Sequence, residues 1–153
     1  MKTSERGLDM IVAFEGIELE AYKCPAGVWT IGVGHTGYVD GRKIAEGMEI
    51  TRDKAYDLLR GDTKKVEEYL AKQPFAGRLV QRQLDALVSF IFNVGISSFE
   101  TSTMRRKLCT GADDASVAEE FGRWVYGTSD GKKVVLKGLV RRRQMEAERF
   151  LGI

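Results

Sequence analysis

At 153 residues the chain is long enough for one domain with its own core and too short for two of ordinary size. A net charge of +2, with 43% apolar and 30% charged residues, excludes both a polycation and a low-hydrophobicity disordered chain. Two cysteines, Cys24 and Cys109, fit no zinc spacing and no disulfide scaffold, and no run approaches the ~20 apolar residues of a membrane span. The N-terminus places Glu5, Arg6 and Asp9 where a signal peptide needs a continuous apolar run. The expected location is therefore a reducing cytoplasm until some other agent releases the protein.

In chain order, a first helix is expected from Thr3 or Ser4. Leu8, Ile11 and Val12 form an amphipathic stripe that Glu15 continues, and Gly16 is the stop. Residues 17–50 are glycine-punctuated, with β-prone pieces such as Val28-Trp29-Thr30-Ile31 and Tyr38-Val39, and read as a small antiparallel sheet of hairpins. Thr51 caps a long helix striped by Ala55, Leu58, Leu59, Val66 and Leu70 and ended by Pro74. Leu84, Leu87, Val88, Ile91 and Phe92 mark a helix apolar almost all round, the expected central one, ended at Asn93-Val94-Gly95. Shorter helices follow near 98–108 and 114–125, then a loop through Gly127, Ser129, Asp130 and Gly131, then a last helix near 138–150. The fold class is α+β: a single domain with a small β-hairpin lobe over about 14–60, and a larger all-helical lobe over 1–13 and 61–153. A cleft between the lobes is the default ligand site.

Charge is uneven. The first 60 residues hold eight Lys/Arg against ten Asp/Glu, the rest sixteen against twelve. Lys132, Lys133, Lys137, Arg141, Arg142 and Arg143 form a run free of acids within it. Such a run suits either an anionic partner or a solvated face.

Glu15 is the first candidate for chemistry. Its apolar stripe and its helix C-terminus both favour the protonated carboxyl that a general acid needs. The plainer reading is an exposed helix-end glutamate near Glu18 and Glu20. Cys24 lies in the loop Tyr22-Lys23-Cys24-Pro25-Ala26-Gly27, as a nucleophile, a water-orienting group or a half-buried turn residue. Thr30 sits on a strand, where threonine is common for packing alone. His35, the only histidine, suggests a thiol hydrolase with Cys24 or a structural hydrogen-bond donor. These patterns alone leave the choices open.

Phe14-Glu15-Gly16, Tyr22-Lys23-Cys24 and Trp29-Thr30-Ile31-Gly32-Val33-Gly34-His35 together resemble the phage-type lysozymes (endolysins), glycoside hydrolase family twenty-four. That family carries Glu, eight residues, Asp or Cys, five residues, Thr, the spacing of Glu15, Cys24 and Thr30 here. Phe92-Asn93-Val94-Gly95 resembles the family's central-helix signature. Trp124 and Gly138-Leu139-Val140-Arg141-Arg142-Arg143 followed by Glu146 resemble its C-terminal one. The resemblance covers essentially the whole chain and implies a lysozyme-like fold, with hydrolysis of the β-1,4 bond between N-acetylmuramic acid and N-acetylglucosamine in peptidoglycan and consequent host cell lysis.

It implies no cofactor and no metal, and a monomer whose partner is peptidoglycan, without nucleic acid or stable membrane insertion. A holin-like pore would release the protein from the cytoplasm to the periplasm and wall. Glu15 would be the acid, Cys24 would stand where many members have Asp, and Thr30 would position water for inversion. Inversion requires acid and water-activating group about 6.5–9.5 Å apart. Thr36, Phe92 and Ser102 match sugar-contacting positions. Arg141 matches the arginine that approaches the catalytic glutamate. His35 and Asp62 match a structural ion pair. Two rivals are a lysozyme-like binding module inactivated at Cys24 and a Cys24–His35 peptidase of wall peptides.

Overall fold

A computed structural model describes residues 1–153. Helix α1 spans Glu5–Glu15. The Ser4 side chain accepts from the Gly7 N–H at its start, and Gly16 ends it at φ 77° with its N–H on Val12 O. Strands β1 (Glu18–Lys23), β2 (Trp29–Gly32) and β3 (His35–Thr36) form an antiparallel sheet in that order. Strands β4 (Tyr38–Val39) and β5 (Arg42–Lys43) add a hairpin turned at Asp40-Gly41, both at positive φ. That geometry is a type I′ turn, which Asp-Gly favours.

Helix α2 (Arg52–Ala71) starts at Thr51, whose hydroxyl accepts from Lys54 N–H at 3.1 Å. After a short 3₁₀ turn at Ala76–Arg78 come α3 (Gln81–Val94), α4 (Ile96–Glu100), α5 (Thr103–Thr110) and α6 (Asp114–Phe121). The ribbon β6 (Tyr126–Ser129) and β7 (Lys132–Val135) precedes α7 (Lys137–Leu151). No helix is long and apolar enough to cross a membrane.

The core has two parts. Ile31, Val39 and Ile44 form a small one with Trp29, Ile50 and Leu58 packed on it. The larger one gathers Leu8, Leu59, Phe90, Phe99, Phe121 and Phe150 between the helices. Phe90 takes Phe121 and Trp124 edge-on at 5.3 and 5.6 Å between centroids. Helix α2 joins the two, with Leu58 on the small core and Leu59, Val66 and Leu70 in the large one. Helix α3 is buried without interruption from Gln83 to Ile91, as its all-round apolar pattern predicts.

Three expectations need correction. The helix near 98–108 is two helices, because Ser102 accepts from Arg105 N–H and starts a new one. The second short helix stops at Phe121, four residues before the expected end. The loop at 127–131 is the turn of the β6–β7 ribbon, with Asp130 at φ 51° and Gly131 at φ 74°. The same Asp-Gly signal marks both hairpins.

Candidate active site

Glu15 is the last residue of α1, where the helix leaves the core, and its side chain stays 30% exposed. It is thus less buried than its stripe suggests. Its Oε1 accepts from Arg142 Nη1 at 2.5 Å, and Oε2 has no protein partner. Arg142 is only 5% exposed and sits 5.0 Å from the Phe14 ring centroid. Its other nitrogens donate to Ser89 O at 2.9 Å and to Glu146 Oε1 at 3.0 Å.

Glu146 is fully buried. It also accepts from Ser89 Oγ at 2.7 Å and from Arg143 Nη1 at 2.5 Å. Arg143 donates further to Trp124 O at 2.9 Å and to Asn93 Oδ1. Two guanidiniums therefore serve two carboxylates, and the buried charges are matched.

The arginine on Glu15 is Arg142, not Arg141. Arg141 is exposed and makes no ion pair. The reason is helical spacing. Arg142, Arg143, Glu146 and Phe150 fall on the buried side of α7 at steps of three and four, and Arg141 is one residue off that stripe. The same burial removes Arg142 and Arg143 from the basic run, leaving Lys132, Lys133, Lys137 and Arg141 exposed.

Cys24 follows β1 directly. Its N–H donates to Val28 O at 3.0 Å, and its carbonyl accepts from Gly27 N–H at 2.8 Å. The thiol is held below its ordinary value by the backbone N–H groups of Val28 and Ala26, with the Thr30 hydroxyl also within reach. Thr30, 3% exposed, donates its hydroxyl hydrogen to Val28 O at 2.9 Å. A hydroxyl has one hydrogen, so it serves that carbonyl or the sulfur, one at a time.

Register brings Thr30 opposite both Tyr22 and Thr36. Opposed residues of an antiparallel pair share a face, so Thr36 stands beside Thr30, exposed. Tyr22 joins that face at 39% exposure. The residue was legible in Tyr22-Lys23-Cys24, yet its placement depends on a register irregularity between Glu18 and Tyr22 that the sequence does not announce.

His35 Nδ1 lies 2.8 Å from Asp62 Oδ2, and Nε2 lies 2.8 Å from Tyr38 O. Both ring nitrogens face acceptors, one on α2 and one on β4, which leaves neither for Cys24. Phe92 is half-buried against the large core. Ser102 is buried and uses its hydroxyl twice, donating to Phe99 O at 2.7 Å and accepting from Arg105 N–H at 3.1 Å.

A cleft of about 630 Å³ opens in the helical lobe, with Asn93, Ser102, Trp124 and Arg143 in its wall. Neither Glu15, Cys24 nor Thr30 lines it. It is linked to Glu15 through one chain of contacts, Arg143–Glu146–Arg142–Glu15.

Comparison with known proteins identifies the family and the fold. A family model described as phage lysozyme matches residues 12–146. An endolysin of Salmonella phage P22 is 44% identical over 152 residues, covering 99% of each chain. An endolysin of Acyrthosiphon pisum secondary endosymbiont phage 1 is 40% identical over 150 residues, covering 98% of each. A crystal structure of a P22 lysozyme mutant aligns with a TM-score of 0.85 at 39% identity over 99% of both chains. The chain belongs to the phage lysozyme family.

Proposed function

We propose that this protein is a muramidase that hydrolyses the β-1,4 bond between N-acetylmuramic acid and N-acetylglucosamine in bacterial peptidoglycan, in the manner of an endolysin. The observation that carries this reading is Glu15, clamped through Oε1 by a buried arginine while Oε2 stays free at a part-open surface. As general acid, Glu15 would donate through Oε2 to the glycosidic oxygen as the bond breaks and oxocarbenium character develops. Thr30, with its hydrogen on Val28 O, offers lone pairs to a water hydrogen and orients that water for attack from the opposite face. Cys24 stands at the position of the family's carboxylate, and the backbone N–H groups that hold its thiol below its ordinary value favour negative charge beside the developing cation. The outcome is inversion.

The large and small cores correspond to two lobes, with the reacting bond between them. We infer a monomer that meets its substrate at the wall, once a membrane pore has released it from the cytoplasm.

The test is lysis of outer-membrane-permeabilised cells, followed by NMR of the first-formed anomer. Lysis that disappears in Glu15→Gln, with new reducing sugar ends of inverted configuration, is the expected result. Intact protein that binds wall and releases no reducing ends would establish the binding module instead. New peptide ends would establish the peptidase, a reading that the occupied nitrogens of His35 already disfavour.

A further inference from the structure

Helix α7 has an outer face that takes no part in the site described above. Its exposed stripe steps by three and four through Lys137, Val140, Arg141, Gln144 and Met145. Leu139 and Arg143, which wall the cleft, and Arg142, which holds Glu15, lie on the opposite side of the helix. The outer stripe is cationic and apolar at once. Lys137 and Arg141 pair with no carboxylate. Val140 is 42% exposed, Met145 36%, and Leu136, just before the helix, 40%. No acid occurs from Lys132 to Met145, and the next one, Glu146, is buried and engaged by Arg142 and Arg143.

The two cations do not help the helix that carries them. Helix α7 starts with no side-chain cap and no acid in its first turn. A cation near that end opposes the macrodipole, and Lys137 and Arg141 repel each other as an i, i+4 pair. Folding therefore gains nothing from their charge.

We infer that the outer face of α7 docks the protein on an anionic phospholipid bilayer. Such a surface satisfies both halves of the stripe. Lipid phosphates meet Lys137 and Arg141, with exposed Lys132 adding to the attraction, while Leu136, Val140 and Met145 enter the boundary of the acyl region. A soluble polyanion would match the cations and leave the three apolar side chains in water. The contact is peripheral, because the rest of α7 is spent on the core through Phe150 and no helix is long and apolar enough to cross a membrane. With the cleft on the other side of α7, a docked molecule keeps it open toward the wall. The inference does not depend on which bond Glu15 cleaves.

The test is co-sedimentation with vesicles of phosphatidylglycerol and phosphatidylcholine in a one-to-three ratio, against pure phosphatidylcholine. Wild type should bind the anionic vesicles alone, and less as salt rises. Replacing both cations, Lys137→Gln with Arg141→Gln, should weaken binding about 25-fold, from about fivefold per cation near such a surface. The charge-conserving pair Lys137→Arg with Arg141→Lys should restore it. Replacing the apolar residues, Val140→Gln with Met145→Gln, should weaken vesicle binding about tenfold and leave binding to heparin unchanged. No vesicle binding by wild type, or equal binding by the neutral pair, overturns the inference. An apolar pair that binds vesicles as wild type does overturns it in favour of a soluble polyanion. All variants should digest lipid-free purified wall at the wild-type rate. A loss there as large as the loss of vesicle binding would assign these residues to the substrate and overturn it as well.

Discussion

Asp85 and Glu146 are two carboxylates with the same surroundings and different consequences. Both are fully buried between α3 and α7, and each is met by arginine from α7. Asp85 gathers Arg149 at 2.5 Å, the Ser4 N–H and hydroxyl at 2.9 and 2.6 Å, and Gln81 at 2.9 Å. All of these are scaffold groups, and the network closes on itself. The partners of Glu146 face outward again, Arg142 to Glu15 and Arg143 to the cleft. A buried ion pair is weak evidence for function. What separates these two is where the arginines' remaining nitrogens lead.

The largest expected effect is at the outward end. Glu15→Gln should lower lytic rate by about 10²–10⁴-fold with circular dichroism unchanged, since Arg142 keeps Ser89 and Glu146. Retained activity in that variant would reduce the Glu146 network to a second scaffold.

The sharpest test of the difference pairs Arg142→Met with Asp85→Ala. Arg142→Met strips one of two arginines from Glu146 and the only one from Glu15, and Asp85→Ala leaves the largely buried Arg149 unpaired, so each should cost about 2–3 kcal/mol and lower Tm by roughly 4–12 °C. Only Arg142→Met should also lower kcat/KM well below the melting range, because only it releases Glu15. Equal specific activities for the two variants, measured where both are folded, would remove the distinction.

Acid should act on the scaffold carboxylate in a definite direction. Burial alone pushes the Asp85 carboxyl up. Hydrogen bonds from Arg149, Ser4 and Gln81 outweigh burial and hold it below the usual carboxylate range. Burial is likewise outweighed at Glu120, by Lys107 and Arg123. A group depressed in the folded state contributes its full stability above the unfolded value of about 4, and loses it as pH falls through the folded value. Denaturant midpoints should therefore fall as pH drops below about 4, and less steeply in Asp85→Asn. Parallel curves for wild type and variant would show that Asp85 contributes nothing to acid sensitivity.

Much of this was legible in the sequence, and the exceptions have physical causes. Helix ends at Ser4, Gly16 and Thr51 could be read because a cap is a local event of side chain and backbone. The pairing of His35 with Asp62 followed from family resemblance, and the structure forms it. The arginine on Glu15 was misplaced by one residue because three consecutive arginines look alike locally. Only the register of α7 against Phe150 separates them, and that register was available as a stripe. The ribbon was read as a loop although Asp130-Gly131 followed by Val134-Val135 is a hairpin signal. Its four-residue strands, Tyr-Gly-Thr-Ser and Lys-Lys-Val-Val, carry no apolar–polar alternation.

The smallest predicted effect lies where the two networks share an element. Ser4 caps α1 and ties it to Asp85, while the far end of the same helix presents Glu15 to Arg142. Ser4→Ala removes the cap and one hydrogen bond to Asp85, but leaves the Ser4 N–H on that carboxylate. The loss should be about 1 kcal/mol, a Tm shift of roughly 2–4 °C. If α1 is fixed at its functional end by Arg142 and at its middle by Leu8 and Ile11, both buried in the core, kcat/KM should not change. A tenfold fall in kcat/KM at a temperature where the variant is fully folded would mean that the position of Glu15 is set from the Asp85 end as well. The division between a scaffold carboxylate and a site carboxylate would then be false.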